Sequence, residues 1–269
     1  MKEKNIKDIK ALEKRFKNLQ PEDEKYYETL LELSREYRDR KSYEKAQKLL
    51  EEGIKDAKEN NFELYLADIY RSLSFVNLQR GDIDKALELS KKSLSVVKYK
   101  KGNDAQEIKS NIYAALGNIF FTKKDYKKAL LNYKKGLKNS KESNFKVREI
   151  TLIGDIANVY IAQNKLKRAE NLLLRIKSDA KRYYKYAVPQ ILLRLGRIEY
   201  LRFNNQRAKA HVLEAIQFAK DKKWKRDVAE ATELLGRIYL KGGDEKRAKL
   251  QLEKANKIFK ELGLPKRDF

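Results

Sequence analysis

Apolar residues recur every three or four positions along almost the whole chain, with lysines and arginines filling the gaps between them. The stretch LGNIFFTKKDYKKALLNYKKGL, Leu116 to Leu137, carries small residues at Gly117, Ala129 and Gly136 among larger apolar ones. That spacing predicts two helices packed closely across a short turn rather than a catalytic loop.

The pattern repeats. A small residue followed twelve positions later by an alanine occurs at Ser34 and Ala46, Ser74 and Ala86, Gly117 and Ala129, Ala157 and Ala169, Gly196 and Ala208, and Gly236 and Ala248. A third compact residue follows seven later at Gly53, Ser93, Gly136, Ala215 and Ala255, with Ile176 the exception. An aromatic residue stands three after the first anchor at Tyr37, Phe120, Tyr160 and Tyr239. Each copy predicts a helical hairpin, and the stretches GDIDKA, KKDYKKA, NKLKRA and GGDEKRA supply Gly, Asn or Asp where a helix must end and the next begin. One hairpin cannot bury its own apolar face, so consecutive copies must stack.

This fingerprint resembles the tetratricopeptide repeat, over about Tyr26 to Leu262. The period is near 40 residues, longer than the ~34 of the basic unit, and is similar to the longer-repeat branch of kinesin light chains, polarity adaptors and bacterial peptide-responsive regulators. The expected fold is all-α: a right-handed superhelical solenoid of six hairpins with an N-terminal capping helix. The expected divisions are a capping helix at 1–21, repeats at approximately 22–62, 63–104, 105–145, 146–185, 186–224 and 225–262, and a tail at 263–269. Ile6, Ile9, Leu12, Phe16 and Leu19 share one face of the first helix, which Pro21 ends. At the other end Ile258, Phe259, Leu262, Leu264 and Phe269 are expected to cover the last hairpin, the alternative being docking on a second copy through the terminal helices.

Composition narrows the chemistry. The chain has no Cys, which excludes disulfides, thiol catalysis and cysteine-ligated metal. Its single histidine, His211, cannot build a His-based zinc site, and KKGND lacks the spacing of a phosphate-cradling loop. No enzyme activity, cofactor or metal is expected. No segment approaches ~20 uncharged residues, and the N-terminus lacks a signal-peptide core, so a cytoplasmic location is expected.

The resemblance implies that the first helix of each hairpin lines a concave groove, with the residues one and four after each anchor facing a guest. The first row is Arg35, Phe75, Asn118, Asn158, Arg197 and Arg237; the second is Arg38, Leu78, Phe121, Ile161, Tyr200 and Leu240. Arg71 and Arg194 join the first row as groove candidates. Asparagine can donate to and accept from a peptide backbone, arginine can clamp a carboxylate, and Leu78, Phe121, Ile161 and Leu240 would offer an apolar strip beside them. Asn118 and Asn158 also resemble the backbone-holding asparagines of the longer-repeat branch.

Charge gives the partner a sign. Residues 1–135 hold 31 Lys+Arg against 23 Asp+Glu, whereas residues 136–269 hold 32 against 16. The expected partner is a protein or peptide segment, extended or helical and acidic. Two alternatives stand beside it: nucleic acid bound by the basic C-terminal half, where KRYYKYAVPQ interleaves Lys and Arg with Tyr183, Tyr184 and Tyr186, and a structural role in an assembly through the ends or the convex face. The competing reading of that tyrosine run, and of Trp224, Phe62 and Phe145 at other junctions, is packing between hairpins.

Overall fold

The computed structural model describes residues 9–262; Ile6, Leu264, Phe269 and the tail 263–269 lie outside the described residues. Among the described residues the chain is all-α, with thirteen α-helices, one short 3-10 segment and no strand. It divides into two compact units, residues 1–148 and 149–269.

The first unit holds α1 (Ile9–Lys17), α2 (Glu24–Asp39), α3 (Tyr43–Glu59), α4 (Glu63–Arg80), α5 (Ile83–Val97), α6 (Asn103–Thr122) and α7 (Tyr126–Glu142). Helices pack in consecutive pairs, α2 with α3, α4 with α5 and α6 with α7, and each pair also meets the next. As a result α2, α4 and α6 lie side by side. Leu12 of α1 is buried, and Ile9, Phe16 and Leu19 pack against the core that Tyr27, Leu30, Leu50 and Ile69 form.

The second unit begins at α8 (Lys146–Ala162), whose first turn straddles the division, and continues with α9 (Leu166–Tyr183), a 3-10 turn at Lys185–Ala187, α10 (Val188–Leu201), α11 (Asn205–Asp221), α12 (Lys225–Lys241) and α13 (Glu245–Glu261). Pro189 sits in the first turn of α10, where its missing N–H costs nothing. Here α10 pairs with α11, α12 with α13, and α10 runs beside α12. At the far end Phe259 is fully buried on Ala229 and Ala255, with Ile258 packed against them. The junction aromatics pack: Tyr186 stacks on Trp224 with centroids 4.3 Å apart, and Phe62 lies 4.8 Å from Tyr27.

The small anchors are buried where the paired helices approach. The close contact is made with the residue sixteen positions on. A Cβ built on Gly117 would stand 2.3 Å from Cε1 of Tyr133, on Gly196 2.8 Å from Cγ2 of Val212, and on Gly236 2.6 Å from Cδ2 of Leu252. Where both positions are serine, the contact is polar: the Ser74 hydroxyl donates to the Ala86 carbonyl at 2.7 Å and lies 2.7 Å from the Ser90 hydroxyl. Small faces large, or polar faces polar, so the crossing stays close in these four repeats.

The turns inside the hairpins share one geometry. The residue seven after each anchor is left-handed: Lys41, Gly81, Lys124, Asn164, Phe203 and Gly243, with φ between 57° and 89°. The next N–H reaches back to the carbonyl five residues earlier, as in Asp125 to Phe120 at 2.9 Å and Asn204 to Glu199 at 2.9 Å. This closes each first helix with a C-terminal αL turn. Asp82, Asp125 and Asp244 then cap the second helices by accepting from the N–H of Lys85, Lys128 and Arg247.

Candidate functional site

In the second unit, one face of α8, α10 and α12 forms an open groove with a volume of about 570 Å³. That lies in the range of ligand-binding clefts. Asn158, Arg194, Arg197, Tyr200 and Arg237 all line it. They come from the same face of successive first helices, which is why residues some forty apart in sequence converge.

Their states differ. Arg194 donates from Nε to Oδ1 of Asn158 at 2.8 Å, and its guanidinium carbon lies 3.6 Å from where a Cβ on Gly154 would stand. Arg237 pairs with Glu233 one turn earlier, Nη2 to Oε1 at 3.1 Å. Arg197, between them, is exposed and makes no hydrogen bond or ion pair among the described residues. Two arginines are therefore held by internal partners, while the third keeps all five of its donors for solvent or a guest.

Several lining residues were not singled out from the sequence: Gln190, Leu193, Leu201, Glu230, Glu233 and Leu234. Gln190 bridges Asp227 and Glu230, both at 2.9 Å, and so ties α10 to α12. A sequence signal existed, since Gln190 lies seven residues before Arg197 and Glu230 seven before Arg237, on the same helix face. The apolar lining comes from Leu193, Leu201 and Leu234. Ile161 is buried, and Leu240 is exposed, but neither is among the lining residues.

The remaining candidates belong to the first unit. Asn118 accepts from the Tyr133 hydroxyl at 2.7 Å, so its side-chain oxygen is engaged within its own hairpin. The Asn158 oxygen is engaged instead across hairpins, by Arg194 of α10, and in both asparagines the amide Nδ2 has no partner among the described residues. Arg71 pairs with Asp68 at 2.8 Å, and Arg35 is exposed. Arg38 stands 4.7 Å over the Phe75 ring, which places a cation on that aromatic rather than facing a guest with both. Leu78 and Phe121 are half-buried, the latter 5.7 Å from Tyr126.

At the end of α10 the groove meets a braced turn. Burial pushes the Glu199 carboxyl up, but hydrogen bonds from Asn204 and Arg202 outweigh it and hold the carboxyl below its ordinary range. Arg202 also reaches Glu170 of α9 at 2.8 Å. Lys241, at the end of α12, donates to the Tyr200 carbonyl at 2.8 Å and stands 4.1 Å and 3.7 Å over the rings of Tyr200 and Phe203.

Stacked helical hairpins with an open groove on their first helices define a repeat protein of the solenoid class. Residues 65–142 match a tetratricopeptide-repeat family model and residues 229–261 match another. The chain thus carries tetratricopeptide repeats at residues 65–142 and 229–261. Its fold is similar to that of a Rap protein complexed with competence and sporulation factor, with a TM-score of 0.70, 13% identity, and coverage of 94% of this chain and 71% of that one. It is also similar to BtubC (BKLC) from P. vanneervenii, with a TM-score of 0.63, 20% identity, and coverage of 86% and 95%. A third similar fold is the Rap conjugation gene regulator of the plasmid pLS20 in complex with the Phr* peptide, with a TM-score of 0.66, 11% identity, and coverage of 94% and 74%. No curated protein sequence matches the chain significantly. Among the described residues no helix is long and apolar enough to cross a membrane.

Proposed function

We propose that this chain is a non-catalytic interaction module whose groove on α8, α10 and α12 takes an extended or helical peptide segment bearing a carboxylate. The observation that carries this reading is Arg197, an unpaired guanidinium in a groove whose other arginines are already positioned. Glu230 and Glu233 also line the groove, so the guest's acidity is a local requirement at Arg197 rather than a uniform one. Asn158 contributes its free amide Nδ2 as a donor to the guest's backbone. Peptide binding by a similar fold, the pLS20 regulator with Phr*, is in keeping with this reading.

The test is affinity capture from the native lysate with wild type beside Arg197→Ala, followed by titration of the identified partner. Removing a charge-assisted contact of this kind costs about 1.5–3 kcal/mol, roughly ten- to a hundredfold in affinity. Unchanged affinity in the variant would move the site away from this groove. The net charge of +24 keeps nucleic acid as a second reading. For it, log affinity would fall with log salt at a slope of about 0.9 per neutralised phosphate, whatever the sequence.

A further inference from the structure

Phe203 is out of place as a turn residue. Its φ is +66°, a conformation unfavourable for a bulky side chain, and its side chain is 77% exposed. The equivalent positions hold Lys41, Gly81, Lys124, Asn164 and Gly243, so the turn itself does not call for an aromatic ring. Nor does bracing between repeats, which Arg202 with Glu170, Arg80 with Gln47 and Lys123 with Asp84 achieve without one. The strain is sustained by the Glu199, Arg202 and Asn204 network described above.

The surroundings say what such a ring could serve. Leu201, 37% exposed, lines the groove, and Leu240, 51% exposed, ends the neighbouring helix. Lys241 covers one side of the Phe203 ring and has no carboxylate partner among the described residues. The groove thus ends in an apolar edge with unneutralised positive charge at Lys241 and Arg197.

We propose that Phe203, with Leu201 and Leu240, forms a lip at the end of the groove that receives a bulky apolar side chain of the same peptide whose carboxylate Arg197 takes. The inference rests on the groove reading above and adds to it a two-point pattern in the guest. Four residues of helix separate Arg197 from Leu201, the last residue of α10, about 6 Å at 1.5 Å per residue, and Phe203 follows two residues later in the turn. An extended peptide covers that in about two to three residues at 3.3 Å each. The guest therefore carries Asp or Glu and, two or three residues away, Leu, Ile, Met, Phe or Trp. Charge complementarity with Lys241 and Arg197 selects this occupant over a purely apolar one.

The experiment is selection from a random peptide library displayed on phage, against the full chain, Arg197→Ala and Phe203→Gly. Glycine suits the left-handed turn, so loss of binding in that variant is not loss of folding. Wild type is expected to enrich both features at the stated spacing. Phe203→Gly should keep the acidic preference, lose the apolar one, and bind a wild-type consensus peptide about tenfold more weakly. Arg197→Ala should do the reverse. An acidic consensus without an apolar position, or unchanged affinity in Phe203→Gly, overturns the lip and leaves the groove standing. No peptide enriched by wild type overturns both.

Discussion

Tyr133 lies across Gly117 so closely that a methyl group at 117 would stand 2.3 Å from the Tyr133 ring. The ring is nearly fully buried and its hydroxyl is anchored on Asn118, so it cannot swing aside cheaply. Gly117→Ala should therefore destabilise the first unit by about 1–3 kcal/mol, the usual cost of overpacking. Urea denaturation checks this, and a midpoint equal to wild type would mean the helices separate freely.

Glu199 predicts a pH dependence. Its carboxyl is held below the ordinary range in the fold, so its contribution is present above the unfolded pKa and fades as pH falls through the folded one. The second unit should lose stability on acidification below about pH 4.5, the ordinary range of a glutamate. Glu199→Gln should start less stable at neutral pH and show a shallower acid slope, measured by thermal unfolding across pH 3–7.

Two tyrosines of the first unit act in the opposite direction. Burial and the hydrogen bond to Glu13 raise Tyr37 to about 12, and burial with Glu24, Glu28, Asp68 and Asp104 raises Tyr65 to about 12. Each keeps its proton longer folded than unfolded, so its contribution is complete below about pH 10 and is lost as pH rises through the folded value. Phenolate absorbance followed alongside circular dichroism should show these tyrosines ionising late, with helix loss. Ionisation of all sixteen tyrosines near pH 10 with helix intact would refute it.

Phe203→Gly should leave stability within about 0.5 kcal/mol of wild type. Relief of the left-handed strain, about 1–2 kcal/mol, is offset by the entropy of glycine in the unfolded chain and by the lost Lys241 contact, each about 0.5–1 kcal/mol. A loss above 2 kcal/mol in chemical denaturation would mean the ring is retained for folding.

The repeats were legible because the anchors act locally. A small residue and an alanine twelve later mark a helix crossing whose geometry hardly depends on the rest of the chain. What could not be read was which groove arginine is already engaged. Arg237 with Glu233 was within reach, being one turn apart, but Arg194 meets Asn158 across 36 residues and only the stacking of α8 beside α10 brings them together. The left-handed turns at Lys41, Lys124 and Phe203 were hidden for another reason. None has a turn-forming side chain, and the conformation is imposed by the hairpin closing around it.

The serines between paired helices carry one more lesson. In α4 and α5, Ser93 of the second helix donates to the Ala67 carbonyl of the first at 2.6 Å; in α6 and α7, Ser110 of the first donates to the Gly136 carbonyl of the second at 2.8 Å. Ala67 and Ser110 are equivalent positions, as are Ser93 and Gly136, so the two repeats span the same gap from opposite banks. In these two repeats one hydroxyl spans the crossing and either helix supplies it, whereas Ala229 and Ala255 close the same gap without one. A repeat array can then exchange the serine for a small residue across the pair without altering its shape, and two copies that differ at both positions remain interchangeable as building blocks.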